Sequence, residues 1–337
     1  MKAWQMKAGA SGIHDLVNVE IEKPIPGPGE VLIRIRACSI NYRDQAILHG
    51  RPPSQPIDRT MTPLSDGAGE VEAVGPGVTR VSVGQRVAGS FFQDWKAGPF
   101  TGRPGAALGG PPAQGMLAEY VTLPEAGVVP LAVSLSFEEA ATLPCSGVTA
   151  WNAVMEGSKQ VLPGRTVLIM GTGGVSLMAL QLAKAAGARV VATSSSDGKL
   201  ERVRALGADL TVNYRTCPEW GAEVAKLTRG GVDKVIEVGG SGTLNQSMLA
   251  VAASGEIALV GVLDFVGGCN PLPLMFKSAV LRGVAVGSVA MARALNAAID
   301  NCAIKPVIDR VFPFERAPEA WSYQASPDLF GKVVITI

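Results

Sequence analysis

Thr166-Val167-Leu168-Ile169-Met170-Gly171-Thr172-Gly173-Gly174-Val175-Ser176 runs an apolar stretch straight into a glycine-rich turn. Beyond the turn, Val175, Met178, Ala179, Leu182, Ala183 and Ala186 recur at helical spacing and form one apolar stripe. Strand, glycine turn and amphipathic helix in that order give a glycine pattern its meaning. Gly171 permits the tight turn. Gly173 lets the backbone approach a pyrophosphate at the helix N-terminus, where unsatisfied N–H groups favour anions. Thr172, Gly174 and Val175 complete the loop, and Ser176 stands where a third glycine is usual. A serine there is expected to loosen the strand–helix contact slightly. The stretch reads as a dinucleotide-binding loop.

Outward from the loop, strands are expected at Thr166–Met170, Arg189–Thr193, Leu210–Asn213, Lys234–Val238, Ile257–Val260 and Gly283–Val286, with helical patterns between. Six strands alternating with helices predict an α/β fold with a doubly wound parallel sheet of the Rossmann kind. Cofactor choice is read at the end of the second strand, where a carboxylate would hold ribose hydroxyls and repel a 2′-phosphate. This chain has Ser194, Ser195 and Ser196 there, followed by Lys199, a donor set for phosphate, while Asp197 lies beyond the strand end. NADPH is the expected cofactor.

The first third has a different texture. Val31–Ala37 alternates apolar and charged residues at Ile33-Arg34-Ile35-Arg36, as a strand with one solvated face does. Gly69–Gly75, Gly84–Gly89 and Glu119–Leu123 continue the β pattern, and residues 96–115 read as a long Gly/Pro-rich loop. Phe137 opens a helix behind Ser136 as N-cap. The tail Lys332–Ile337 is β again and is expected to rejoin the first domain.

Bulk composition narrows the function classes. The chain has 337 residues, enough for two domains, and 47% are hydrophobic. A net charge of +1, with no Lys/Arg cluster, argues against nucleic-acid and polybasic membrane surfaces. No apolar run is long enough for a bilayer span, and Met1-Lys2-Ala3-Trp4-Gln5 has no signal-peptide core, so a cytoplasmic location is expected. The five cysteines are scattered without a Cys-x-x-Cys pair, which suggests reduced thiols, not a disulfide framework or zinc ribbon.

Several further segments, in order and spacing, resemble the medium-chain dehydrogenase/reductase superfamily over essentially the whole chain. They are Pro28–Ile33, Gly67–Gly75, Val83–Val87, Gly115–Tyr120, Ala140–Pro144, Gly147–Trp151 and Val167–Val175. The resemblance implies a GroES-like β-rich catalytic domain over 1–125 completed by 290–337, a Rossmann domain over 126–289, and an active site in the cleft. Many members hold zinc with a Cys near residue 41, a His-Glu pair near 65 and a Cys near 145. Here those places read Asn41, Ser65-Asp66 and Cys145, the only histidines are His14 and His49, and no cysteine lies between 90 and 115. A tetrahedral zinc site cannot be assembled from these residues, so no metal is expected.

Ser39-Ile-Asn-Tyr-Arg-Asp44 resembles the corresponding segment of zinc-free quinone oxidoreductases and enone reductases. That implies catalytic roles for Asn41, facing nicotinamide and the substrate oxygen, and for Tyr42 as hydrogen-bond or proton donor in a dry cleft. Asp44 either joins them or pairs with Arg43 to fix the loop. By the same resemblance Thr149, Gly239, Gly261-Val262-Leu263, Tyr214, Arg215 and Lys332 are cofactor contacts. Phe91, Phe92 and Trp95 line the pocket or pack in the core, and His49 either takes a catalytic part or is a surface or satisfied neighbour. The expected reaction is metal-free, NADPH-dependent hydride transfer to a small apolar conjugated carbonyl or quinone. A zinc-free ketone reductase and a silent nucleotide-binding scaffold stay open. A homodimer is expected through the edge segment Gly283–Gly287.

Overall fold

The computed structural model describes every residue except 52, 53, 55, 102–106, 262 and 264–266. Part of the loop expected over 96–115, and Val262, therefore lie outside the described residues. The chain divides into two compact units, Met1–Val148 with Gly287–Ile337, and Thr149–Val286.

The first unit opens with an antiparallel pair, β1 (Lys2–Met6) and β2 (Leu16–Glu20). There follow β3 (Glu30–Ile40), α1 (Tyr42–Leu48), β4 (Asp66–Val74), β5 (Arg86–Gly89), β6 (Tyr120–Pro124), β7 (Val128–Pro130) and α2 (Phe137–Ala140). In β3 the alternation seen in sequence is realised, with Ile33 and Ile35 buried and Arg34 exposed. Ser136 caps α2 through a reciprocal box with Glu139.

The helix α3 (Val148–Met155) begins at the division, and the second unit then alternates strand and helix. Its elements are β8 (Thr166–Met170), α4 (Gly174–Ala185), β9 (Arg189–Ser194), α5 (Asp197–Ala205), β10 (Leu210–Asn213) and α6 (Trp220–Leu227). They continue with β11 (Val232–Glu237), α7 (Ser241–Ala250), β12 (Val251–Leu259), α8 (Leu272–Lys277) and β13 (Val280–Gly283). The sheet order is β10-β9-β8-β11-β12-β13, all parallel, with β8 buried along its whole length, as a central strand covered on both faces must be. The order reverses direction at β8, which makes the end of that strand the switch point where such sheets bind ligands. The last strand lies three residues earlier than expected. Val286 adopts a left-handed backbone, at φ 51°, which turns the chain out of the sheet.

The chain re-enters the first unit through α9 (Val289–Cys302), capped by the Ser288 hydroxyl, and adds β14 (Ile308–Pro313), α10 (Ala317–Gln324) and β15 (Lys332–Thr336). Strand β15 pairs antiparallel with β3, Val333 opposite Ile40, so the tail completes the first sheet, ordered β14-β15-β3-β4-β5-β7 with β6 also on β3. Trp4 donates its indole N–H to Phe314 O at 2.8 Å, and Gln45 donates to Trp321 O at 2.8 Å. The division at Val148, not 125, follows from pairing: β7 adds to β5, and Asn296 of α9 donates to Pro130 O at 2.7 Å.

Candidate active site

In the second unit the sequence-expected loop leaves the end of β8. Gly171 has φ 70°, and a side chain added at Gly171 or Gly173 would meet no atom within 4 Å. These glycines therefore face open space instead of packing. Gly173 is also the N-cap of the twelve-residue α4 and caps it with no side chain, which leaves first-turn N–H groups for an anion. Ser176 corrects the expectation of a looser contact: its hydroxyl donates to Met170 O at 2.6 Å and ties helix to strand. Thr172 and Thr149 are buried, while Gly174 and Val175 are half-buried at the helix start.

The neighbouring strand ends complete the cradle. Strand β9 ends at Ser194 with no carboxylate, and Ser196 caps α5 by accepting from Lys199 N. Ser195 and Lys199 are half-buried, whereas Asp197 is exposed and held by Asn213 Nδ2 at 2.8 Å. Tyr214 and Arg215 are exposed after β10. Glu237 had no sequence signal. Fully buried at the end of β11, it accepts from Gly239 N at 2.7 Å, Gly240 N at 3.1 Å and the Thr243 and Ser247 hydroxyls, which shapes the Gly239 turn. Gly261 is glycine for packing, since a Cβ there would lie 2.2 Å from Val238 C. Leu263 is exposed. A nicotinamide dinucleotide fits this unit: the loop offers space, N–H donors and hydroxyls where its phosphates and ribose would bind.

The first unit holds a second polar cluster around Asn41. This residue is the N-cap of α1, its N–H donating to Asp44 Oδ2 at 2.7 Å and its carbonyl accepting from Asp44 N at 3.0 Å. Lys332, at the start of β15, donates to Asn41 Oδ1 at 2.5 Å and to Ile40 O at 2.7 Å, and lies 3.8 Å from Asp66 Oδ2. A lysine ammonium can only donate, so the Asn41 amide must turn its oxygen to Lys332. Its Nδ2 is then left buried with no partner among the described residues. Asp66 is fully buried and accepts from the hydroxyls of Ser39 at 3.1 Å and Ser65 at 2.8 Å.

Other expected participants are reassigned. Asp44 takes up the pairing alternative: it is buried, accepts from Asn41 N and lies 3.4 Å from Arg43. Burial pushes its carboxyl up to about 6 despite the Arg43 charge. Tyr42 is 41% exposed, so its phenol lacks the dry surroundings expected of it. His49 ends α1, with Nδ1 2.9 Å from Gln45 O. Phe91, Phe92 and Trp95 pack edge-on and tilted on one another, Arg43 lies over Phe91 at 4.7 Å, and all three aromatics are buried.

The zinc positions implied by resemblance were tested against these contacts. The Asn41 oxygen is taken by an ammonium, the Asp66 carboxylate accepts from two hydroxyls, and Cys145 is the one sulfur donor left at these positions. Among the described residues no group of three or more His, Cys, Asp or Glu could hold a metal ion. Zinc does not fit the residues present. No helix among the described residues is long and apolar enough to cross a membrane.

Comparison with known proteins agrees with both halves of the architecture. Residues 27–133 match the alcohol dehydrogenase GroES-like domain, and residues 174–302 match the zinc-binding dehydrogenase family. A zinc-type alcohol dehydrogenase-like protein of Schizosaccharomyces pombe is 44% identical, covering 97% of this chain and 96% of its own. A 2-methylene-furan-3-one reductase of Solanum lycopersicum is 30% identical, covering 99% of this chain and 79% of its own. Among solved structures, a putative alcohol dehydrogenase from Sinorhizobium meliloti superposes with TM-score 0.89 at 40% identity, and an NAD-dependent alcohol dehydrogenase with 0.87 at 35%, each covering all of both chains. With glycine loop, sheet order and GroES-like unit all in place, the chain belongs to the medium-chain dehydrogenase/reductase superfamily, as a zinc-type alcohol dehydrogenase-like oxidoreductase.

Proposed function

We propose that the protein reduces small apolar conjugated carbonyls or quinones with NADPH and without a metal, in the cytoplasm. The observation that carries this reading is the buried, unpartnered Nδ2 of Asn41. Leaving a buried donor unmade costs about 1–3 kcal/mol, and a ligand acceptor would remove that cost. A reduced nicotinamide supplies the hydride when bound. Gly171, Thr172, Gly173 and the first turn of α4 would hold the pyrophosphate, and Ser194, Ser195, Ser196 and Lys199 the 2′-phosphate. Asn41 Nδ2 donates to the substrate oxygen and gains strength as negative charge gathers there. Tyr42, open to solvent, or water supplies the proton that the anion formed by hydride addition takes up.

A neutral amide is a weaker electrophile than a metal, which suits an enone or quinone because conjugation spreads the developing charge. The furanone reductase among the relatives supports the same chemistry. Plain ketone reduction is the second reading, favoured by the alcohol dehydrogenase names of the more similar relatives. Nicotinamide absorbance with cyclohexenone, a 1,4-quinone and cyclohexanone separates them. The enone is expected to exceed the saturated ketone in kcat/KM by about 100-fold, roughly 2.7 kcal/mol in the barrier, because only its charge is spread by conjugation. Equal rates would favour the ketone reading, and no turnover with tight cofactor binding a silent scaffold. Lys199→Ala should lower the NADPH-over-NADH preference about tenfold. An unchanged ratio would remove Lys199 from the phosphate site.

The working unit is proposed to be a homodimer. Strand β13 pairs only with β12 among the described residues and exposes Val280 and Leu281. Helix α8 beside it exposes Met275 and Phe276. A sedimentation mass of one chain at micromolar concentration would contradict this.

A further inference from the structure

The position of Lys332 is built, not incidental. Gly331 before it has φ 98°, and a Cβ there would strike Val307 O at 2.4 Å, so only glycine makes the turn. Lys332 N then donates to Val307 O at 3.0 Å, and the next residue, Val333, registers opposite Ile40. Strand pairing thus brings the ammonium from the far end of the chain to Asn41, where it is buried among acceptors. It bonds the Asn41 oxygen and the Ile40 carbonyl and faces the Asp66 carboxylate, which Ser39 and Ser65 hold in turn.

Two consequences follow for Asn41. Its backbone is fixed at both N–H and carbonyl by Asp44, and Lys332 fixes the remaining freedom, the rotation of the amide. An amide whose oxygen accepts from a cation is also polarised, so its N–H protons become stronger donors. Here that donor end is buried and unpartnered. The resident cation stands beside Asn41 and Asp66, two of the positions at which the resemblance implies ligands in zinc-holding members.

We infer that Lys332 is a positioning residue that acts through Asn41, orienting and polarising its amide so that Nδ2 serves as the electrophile in place of a metal ion. The inference rests on the proposed carbonyl chemistry, and its test uses an optical readout that does not need turnover. The probe is 4-(dimethylamino)cinnamaldehyde, whose absorption moves to the red when its carbonyl is polarised, bound with oxidised cofactor so that no reduction occurs. The wild type should shift the dye to the red, Asn41→Ala should not, and Lys332→Met should lose most of the shift. Lys332→Gln, which keeps a donor without the charge, should fall between, and provides a second variant if the apolar one folds poorly by circular dichroism.

In steady state, Lys332→Met should lower kcat about 10- to 100-fold, with smaller change in KM, as expected for a lost hydrogen bond to a charged group. In an Asn41→Ala background the same substitution should cost less than about twofold, because the interaction it removes is already gone. An undiminished red shift in both Lys332 variants, or losses that multiply in the double variant, would overturn the inference. If the wild type shifts the dye yet reduces no enone, the proposed reaction fails while the role of Lys332 stands.

Discussion

At Gly173 the functional surface is backbone: an open turn, first-turn N–H groups, and no side chain in the way. At Asn41 it is one side-chain amide held by Lys332, which is 291 residues away, beside a carboxylate from a third strand. The first arrangement is local, so residues eleven in a row specify it. The second is assembled by strand pairing across nearly the whole chain. Backbone sites tolerate change in the rest of the molecule but not in their own glycines. Side-chain assemblies depend on every member, and on charge.

The sharpest way to break this comparison is at the loop. Gly173→Asp places a good N-cap residue in space that holds no atom within 4 Å, so the fold should keep its melting temperature within a few degrees. Its carboxylate would occupy the ground of the phosphates and repel them. Dinucleotide affinity should fall about 1000-fold, roughly 4 kcal/mol, by calorimetric titration. Unchanged affinity would show that the open turn is not the cofactor cradle. A large loss of stability would show that the glycine serves packing instead, as Gly261 does against Val238.

The same contrast decides what could be read in advance. The parallel sheet and the glycine loop were legible because each strand announces itself by an apolar run and each turn by glycine, whereas the order of the strands came only with the fold. Thr166–Met170 and Leu210–Asn213 are found at the predicted bounds. The tail strand was legible too, though not what its first residue does. Nothing in Phe330-Gly-Lys332 announces a bond to Asn41, because that bond depends on the register of β15 against β3. Glu237 stayed hidden for a similar reason: a carboxylate at a strand end reads as solvated until its four donors fold around it. Asp44 was legible as a partner of Arg43 or as a catalytic group, but its place in the capping box of the helix at Asn41 was not. Polar residues close in sequence declare what they can bond, whereas burial, which decides whether they must, is a property of the finished fold.

A smaller effect sharpens the comparison through pH. The glycine loop has no titrating group and should be indifferent to it, whereas the Asn41 cluster contains a buried acid. Burial raises the Asp44 carboxyl from the ordinary 3.8 to about 6, with Arg43 opposing. Between those values the folded protein holds a proton that the unfolded chain has released. Stability from this group is therefore fully present below about 3.8 and is lost as pH rises through about 6. A shift of two units corresponds to ~3 kcal/mol. Asp44→Asn keeps an acceptor for Asn41 N but cannot ionise. The stability of the wild type relative to this variant should therefore fall by about that amount from pH 4 to pH 7, in urea titrations at fixed ionic strength. Parallel curves across the range would mean that Arg43 holds Asp44 ionised throughout, and that the cap at Asn41 is a permanent ion pair, not a buried acid.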